Sequence, residues 1–193
     1  MTLTRADRFL IGAAAVFLVS QANIGRVLGS TASTVGTVQT TFSASKYRKV
    51  LDNLGPDEIE RYRRHYYWDM VHPVTFAVAL RAGARSLDTH RPLPPRTHRI
   101  LMTAPVVAAA GDYVENVVGL YLLEHRTRID DRTVRATSTV SVTKWVLALG
   151  SFAYLSQGFL RMWGGAALRR LRRGRPTRGV PSRPTSVRAT MSA

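Results

Sequence analysis

Four blocks of this sequence are mostly apolar, and each is about long enough to cross a lipid bilayer. The blocks cover residues 9–28, 66–87, 100–123 and 136–163. A stretch of roughly 18 or more apolar residues with few charges is typical of a transmembrane helix. The mean hydropathy of -0.07 resembles that of a soluble protein, because it averages these blocks with polar, basic loops. We therefore expect an all-α fold, an integral membrane four-helix bundle over residues 1–165.

The first block has two interpretations. Residues 9–19 are wholly apolar, but Gln21, Asn23 and Arg26 follow them. The block is either a retained transmembrane helix with a polar end or a signal peptide that is cleaved after Ala22. We favour the retained helix, and the order of the other three blocks is the same in both cases.

The segment between the first two blocks, residues 29–65, is a long polar connection. Its first part, residues 29–39, is rich in Ser, Thr and Gly and shows no helical period. From Ser43 the pattern SASKYRKVLDNLG predicts a short amphipathic helix that ends at Gly55. Pro56 with two acidic residues after it then predicts a new helix, which we expect to continue into the second block.

Basic residues predict the orientation. The net charge is +16, and cytoplasmic loops of membrane proteins carry the excess of Lys and Arg. More than half of the basic residues lie on one side if the N-terminus, the 81–99 loop and the C-terminal tail share it. We expect that side to be the cytoplasm and the segments 29–65 and 124–135 to be outside. Because Arg far outnumbers Lys, as in GC-rich bacteria, the expected location is a bacterial plasma (inner) membrane.

The C-terminal segment, residues 166–193, is rich in Pro, Arg and Ser, which predicts a disordered basic cytoplasmic tail. No aromatic residue follows Trp163, so the tail lacks the rings that stack on bases in single-stranded nucleic acids. We therefore expect it to contact anionic lipid headgroups and not nucleic acid. The arginines nearest the fourth block are Arg169, Arg170, Arg172, Arg173 and Arg175.

Polar and ionisable side chains inside three of the blocks are the candidates for a functional site. Such a charge costs about 2.5–3.5 kcal/mol on insertion scales, and it usually faces the interior of a bundle. In the second and third blocks the spacing is i, i+3 or i+4, which places the side chains on one face, and in the fourth block Lys144 shares a face with Thr137, Ser141 and Ser151. The candidates are Asp69, His72, Asp112, Glu115, Asn116 and Lys144.

Alternating helix directions bring these side chains to a similar depth. At ~1.5 Å per residue, His72, Glu115 and Lys144 would lie roughly 9–12 Å below the outer boundary. Pro73 would add a backbone acceptor at this depth, because a proline within a helix leaves the carbonyl four residues earlier, that of Asp69, without its donor.

These residues permit a structural and a functional interpretation. Lys144 paired with Asp112 or Glu115 would form a polar core that fixes one packing arrangement. Three carboxylates against one lysine, however, leave a surplus that a proton, a cation or a small ligand would neutralise. The functional alternatives are therefore an intramembrane binding site, an acid–base or metal-assisted enzyme acting on a lipid-like substrate, and an accessory subunit.

No sequence motif identifies a reaction or a cofactor. The absence of cysteine excludes disulfides and thiolate chemistry. There is no HExxH sequence, phosphate-binding loop or nucleophile elbow. His72, Asp69, Asp112 and Glu115 are weak candidates for a metal site, because they provide oxygen and imidazole ligands without a dense motif.

The same residues carry a family resemblance. His72-Pro73, the Asp112-x-x-Glu115-Asn116 motif and Lys144 resemble an uncharacterised family of small bacterial multi-pass membrane proteins. The resemblance covers about residues 8–160 and not the tail. It implies a bundle of about four transmembrane helices and no particular activity.

Overall fold

The structure is a computed structural model that describes residues 2–173, with side chains described through residue 165. These residues form helices and no strands. The α-helices are α1 Arg5–Leu28, α2 Ala32–Thr40, α3 Ala44–Asp52, α4 Pro56–Asp69, α5 His72–His90, α6 Pro95–Glu124 and α7 Asp131–Arg173. The chain divides into two units, Met1–Phe159 and Leu160–Ala193, and the first of them contains the predicted site.

Helix α1 begins earlier than the apolar block does. Thr4 caps it, because the Thr4 hydroxyl accepts from the backbone N–H of Asp7 while the Asp7 carboxylate accepts from the backbone N–H of Thr4. At the other end a short 3-10 turn, Gly29–Thr31, connects α1 to α2. Gly29 has a φ of 52°, a backbone conformation that favours glycine.

Helix α2 contradicts one expectation from the sequence. Residues 29–39 were expected to be a non-helical connection, but α2 occupies Ala32–Thr40. Ser, Thr and Gly are weak helix formers, so the local pattern carries little helical signal. Packing supplies what propensity lacks, because this helix buries Val38 and Gln39 against the rest of the bundle.

The second apolar block is also different from the prediction. Residues 66–87 were expected to form one helix with a kink at Pro73, but α4 ends at Asp69 and α5 begins at His72. Pro73 lies in the first turn of α5, where its missing N–H costs no helical hydrogen bond. The proline therefore separates two helices at the depth of the candidate site.

Long-range contacts show that neighbouring helices run in opposite directions. Ser20 of α1 contacts His72 at the start of α5, whereas Asp7 near the start of α1 accepts a hydrogen bond from Ser86 near the end of α5. The same antiparallel relation brings α6 and α7 together at the candidate site. Within the first unit, the chain thus forms four antiparallel columns, of which α4 and α5 together make the second.

Two apolar clusters lie on either side of the polar residues along the helices. One is formed where the 29–65 and 124–135 segments meet α6, and it contains Tyr47, Tyr62 and Leu122. The other contains Leu87 and Leu101 at the opposite end of α5 and α6. Tyr47 lies on α3, so the predicted amphipathic helix is present and buries its apolar face.

Helix α7 extends beyond the predicted boundary of the tail. The tail was expected to be disordered from residue 166, but the helix continues to Arg173. Four of the five tail arginines therefore lie in helical backbone. Arg175 and the rest of the predicted tail lie outside the described residues.

Among residues 2–173, two helical segments are long and apolar enough to cross a membrane, and they give weak support for a membrane location. The segments are Arg5–Thr40 and Pro95–Glu124. Exposed apolar side chains follow the outer faces of α1, α6 and α7, and they include Phe9, Val16, Leu18, Val19, Val107, Val117, Val146, Leu149 and Phe152. Asp, Glu, Lys, Asn and Ser side chains are buried between these helices beside apolar residues.

Gly119 provides a test of this packing. A methyl group at Gly119 would lie 2.6 Å from Cζ of Tyr66, which is shorter than any real contact. We expect Gly119→Ala to lower the unfolding free energy by about 1–3 kcal/mol through overpacking. The measurement is the thermal unfolding midpoint in a non-ionic detergent. Gly12→Ala is the control, because nothing lies within 4 Å of its new methyl group, and equal midpoints for the two variants would contradict this packing.

Candidate functional site

Lys144 is the centre of the polar layer between the two apolar clusters. Its ammonium nitrogen forms ion pairs with Asp112 Oδ1 and, at 2.9 Å, with Glu115 Oε2. The three side chains are no more than 7% exposed. Gly111 permits this approach of α7 to α6, since a side chain at Gly111 would contact Val140 and the β-carbon of Lys144. One ammonium group thus holds two carboxylates from successive turns of α6.

Glu115 is closed off by further donors. Ser141 Oγ donates to one of its carboxylate oxygens and Gln39 Nε2 donates to the other. Trp145 fixes the Gln39 amide, because its indole Nε1 donates to Gln39 Oε1 at 2.9 Å. With Lys144 included, Glu115 accepts from three side chains on two helices. This arrangement is the structural polar core that the sequence permits.

Gln39 is a site residue that the sequence analysis missed. It lies at the end of α2, in the segment that was expected to be a non-helical connection. A single glutamine among serines and threonines gives no periodic signal. Only the turn between α1 and α2, which brings this segment against α6 and α7, shows its role.

Asn116 bonds the backbone at the break between α4 and α5. Its Nδ2 donates at 3.0 Å to the carbonyl of Asp69, the last residue of α4, which lacks a helical donor because the helix ends there and not because of a proline inside a helix. Asn116 is 1% exposed, and its Oδ1 has no hydrogen-bond partner in the described part of the chain. The side chain thus connects α6 to the break between α4 and α5.

Asp69 and His72 line the same large cavity as Asp112 and Lys144, but they take no part in the Lys144 ion pairs. The His72 Nδ1 lies 3.0 Å from the Ser20 hydroxyl, and its ring lies 5.6 Å from that of Phe17. No basic side chain within residues 2–165 forms an ion pair with Asp69. These two side chains are therefore available to a molecule in the cavity.

The cavity has a volume of about 860 Å³ and lies among α1, α2, α4, α5, α6 and α7. Its walls are mostly apolar, with Phe17, Phe76 and Trp145 near the polar end and Leu80 and Leu155 farther away. Its charged lining consists of Asp69, Asp112 and Lys144, together with the imidazoles of His65 and His72. Ligand pockets usually enclose roughly 300–1,000 Å³ and combine apolar walls with a few polar groups.

An aromatic group covers the Glu115 side of the site. Tyr66 donates to the Tyr62 hydroxyl at 3.3 Å, and the imidazole of His65 contacts the Tyr62 carbonyl. Burial raises the pKa of Tyr47 to about 12. The Tyr47 phenol is therefore neutral at neutral pH.

The structure brings the six predicted site residues to one layer, in two groups. Asp112, Glu115 and Lys144 form the ion-pair group, whereas Asp69 and His72 lie at the cavity and Asn116 bonds the backbone between them. The weak metal candidates were His72, Asp69, Asp112 and Glu115. Neither these four nor the other described residues form a group of three or more His, Cys, Asp or Glu side chains that could hold one metal ion.

Replacement of Lys144 tests the ion-pair group. Lys144→Met leaves two buried carboxylates without their cation, and breaking a buried pair in this way costs about 3–5 kcal/mol. We expect a large decrease in the thermal unfolding midpoint, which Asp112→Asn in the same chain partly restores. Lys46→Met, at an exposed position on α3, should leave the midpoint unchanged. A Lys144→Met protein as stable as the wild type would contradict the arrangement.

Comparisons with known proteins add no family. No family model, no curated protein and no solved structure matches this chain. The resemblance to small multi-pass bacterial proteins therefore stays a prediction, and the functional argument depends on the geometry of the site.

Proposed function

We propose that this protein is a multi-pass membrane protein that binds a small amphiphilic ligand in its intramembrane cavity. The observation that carries the proposal is the cavity of about 860 Å³, which combines long apolar walls with a polar end at Asp69, His72, Asp112 and Lys144. Apolar walls match the body of such a molecule, and the few polar groups would bind its head.

The distribution of side chains supports four spans. Exposed apolar residues on the outside and a layer of buried ionic groups inside are what a bilayer demands, because lipid tails solvate apolar side chains and leave charges unsolvated. The proposed spans are α1, the column of α4 and α5, α6 and the part of α7 up to about residue 163. A soluble protein would expose these apolar surfaces to water at a large cost.

Contacts at the start of α1 support its retention in the mature protein. The Asp7 carboxylate accepts from Ser86 at 2.6 Å and lies 3.0 Å from His90 Nε2, so α1 is held to the end of α5. Leu10 and Phe17 of the same helix line the cavity. Cleavage after Ala22 would remove this wall and leave the ligand site open.

The proposed location and orientation follow from the charge distribution. We place the protein in a bacterial plasma membrane, with the C-terminus and the 81–99 loop in the cytoplasm and the α2–α4 segment outside. The arginines that follow residue 165 would then lie against the anionic cytoplasmic leaflet, where each contributes about 1 kcal/mol of attraction.

One observation favours an enzyme as the second candidate. Asp69 and His72 are an acid and a base that line the same cavity, one on each side of the helix break. Such a pair could transfer protons to and from a lipid-like substrate. Turnover of a bound amphiphile that stops in both Asp69→Asn and His72→Gln would favour this alternative over simple binding.

The lack of cysteine permits a direct test of topology. We expect a single cysteine in place of Ser45, at an exposed position on α3, to react with a membrane-impermeant maleimide in intact cells. A cysteine in place of Thr89, at the end of α5, should react only after permeabilisation. The reverse pattern would contradict the orientation, and recovery of the protein in the soluble fraction would contradict the spans.

A cavity-filling variant tests ligand binding. Ala148 lines the cavity, so Ala148→Trp should exclude a ligand, while Val146→Trp on the exposed face of the same helix should not. We expect native mass spectrometry after purification in mild detergent to show a bound amphiphile on the wild type and on Val146→Trp. The Ala148→Trp protein should lose most of it. Equal occupancy of all three proteins would contradict a ligand in the cavity.

A further inference from the structure

The polar layer at the end of the cavity has more negative than positive groups, and two of its three carboxylates, Asp69 and Asp112, line the cavity. Asp69, Asp112 and Glu115 face one ammonium group, that of Lys144, and Lys144 is shared by two of them. Even with His72 counted as a cation, the carboxylates outnumber the bases.

Asp69 is the carboxylate of this layer that lies outside the ion-pair group. It is 9% exposed, lines the cavity, and has no ion pair with a described basic side chain. Asn116 donates to the Asp69 backbone carbonyl, and its neutral amide supplies no positive charge. A buried charge without a partner is costly, and a bound cation would remove this cost.

Aromatic rings lie near the same end. The rings of Phe17 and Phe76 lie 5.6 and 5.9 Å from the ring of His72, and both also line the cavity. The faces of such rings attract ammonium groups, and this attraction increases when water is excluded. A carboxylate together with aromatic rings is the chemistry that recognises an ammonium head in preference to a neutral or anionic one.

The remaining wall fits an alkyl chain. From the polar end the cavity continues along Ala14, Leu80, Gly83 and Leu155, without a further charged side chain in its described lining. An apolar chain in this part would be removed from water, which is favourable by roughly 0.8 kcal/mol for each buried methylene group.

We propose that the cavity binds a single-chain amphiphile with a cationic ammonium head, and that the Asp69 carboxylate is its counter-ion. This inference rests on the proposed ligand-binding function and names the class of ligand. The head lies between Asp69 and the rings of Phe17 and Phe76, and the chain extends toward Leu155. Lys144 repels the head from the Glu115 side, which keeps the ion-pair group intact when the ligand binds.

Competition among three probes with the same chain tests the proposal. Dodecyltrimethylammonium, dodecanol and dodecanoate are added in equal amounts to the full-length protein in a neutral detergent, and native mass spectrometry measures the fraction of each that is bound. We expect the wild type to prefer the ammonium probe over the alcohol by about tenfold, because a desolvated charge pair contributes to one complex only. Asp69→Asn should reduce this preference to below about twofold while all three probes still bind.

Matched variants separate the possible failures. Asp57→Asn removes an exposed carboxylate from the same helix and should keep the wild-type preference. Asp69→Ser repeats the test with a smaller side chain if asparagine disturbs the fold. Equal binding of all three probes by the wild type, with loss in Ala148→Trp, would overturn the cationic ligand and leave the binding function intact. Binding that is absent, or unchanged in Ala148→Trp, would overturn both.

Discussion

The structure depends on the contact of one buried ammonium group with two carboxylates. Lys144 holds Asp112 and Glu115 on successive turns of α6, and this contact fixes the register of α6 against α7. Few alternative registers could satisfy all three charges in an apolar surrounding, and an unsatisfied one would cost several kcal/mol. Ser141 and Gln39 complete the arrangement, and Gln39 also brings α2 against the bundle. The polar layer thus specifies the packing, while the apolar clusters above and below it supply most of the buried surface.

The site has a closed side and an open side, and this division relates the two interpretations of the sequence. On the closed side, Glu115 has three donors and no space for a ligand, as a structural polar core would have. On the open side, Asp69 and His72 line a cavity that no described side chain fills. The break between α4 and α5 produces the open side, because Asp69 and His72 lie on either side of the break and both line the cavity. A structural group and a binding site therefore exist together in one layer.

Much of this arrangement could be predicted from the sequence. Spacing placed Asp112, Glu115 and Asn116 on one face of a helix. The Asp69 carbonyl does accept from a side chain, but at a break between two helices and not at a kink within one. Features that arise from tertiary contacts could not be predicted. Gln39 has no periodic signal, and α2 is helical against its weak propensity because packing buries one of its faces. The cavity is also a property of the assembled helices, since its walls come from six of them and no single segment encodes it.

The central claim is that lipid surrounds the helices while the polar layer faces inward, and spin labelling along α7 tests it most directly. Single nitroxide labels from residue 138 to 152 would be compared for collisions with oxygen, which dissolves in lipid, and with a water-soluble nickel chelate. The account predicts oxygen maxima at Val142, Val146 and Leu149, minima at Ser141 and Lys144, and low nickel accessibility throughout. Nickel accessibility that is high at Val146 and Leu149 would place this face in water and contradict the account.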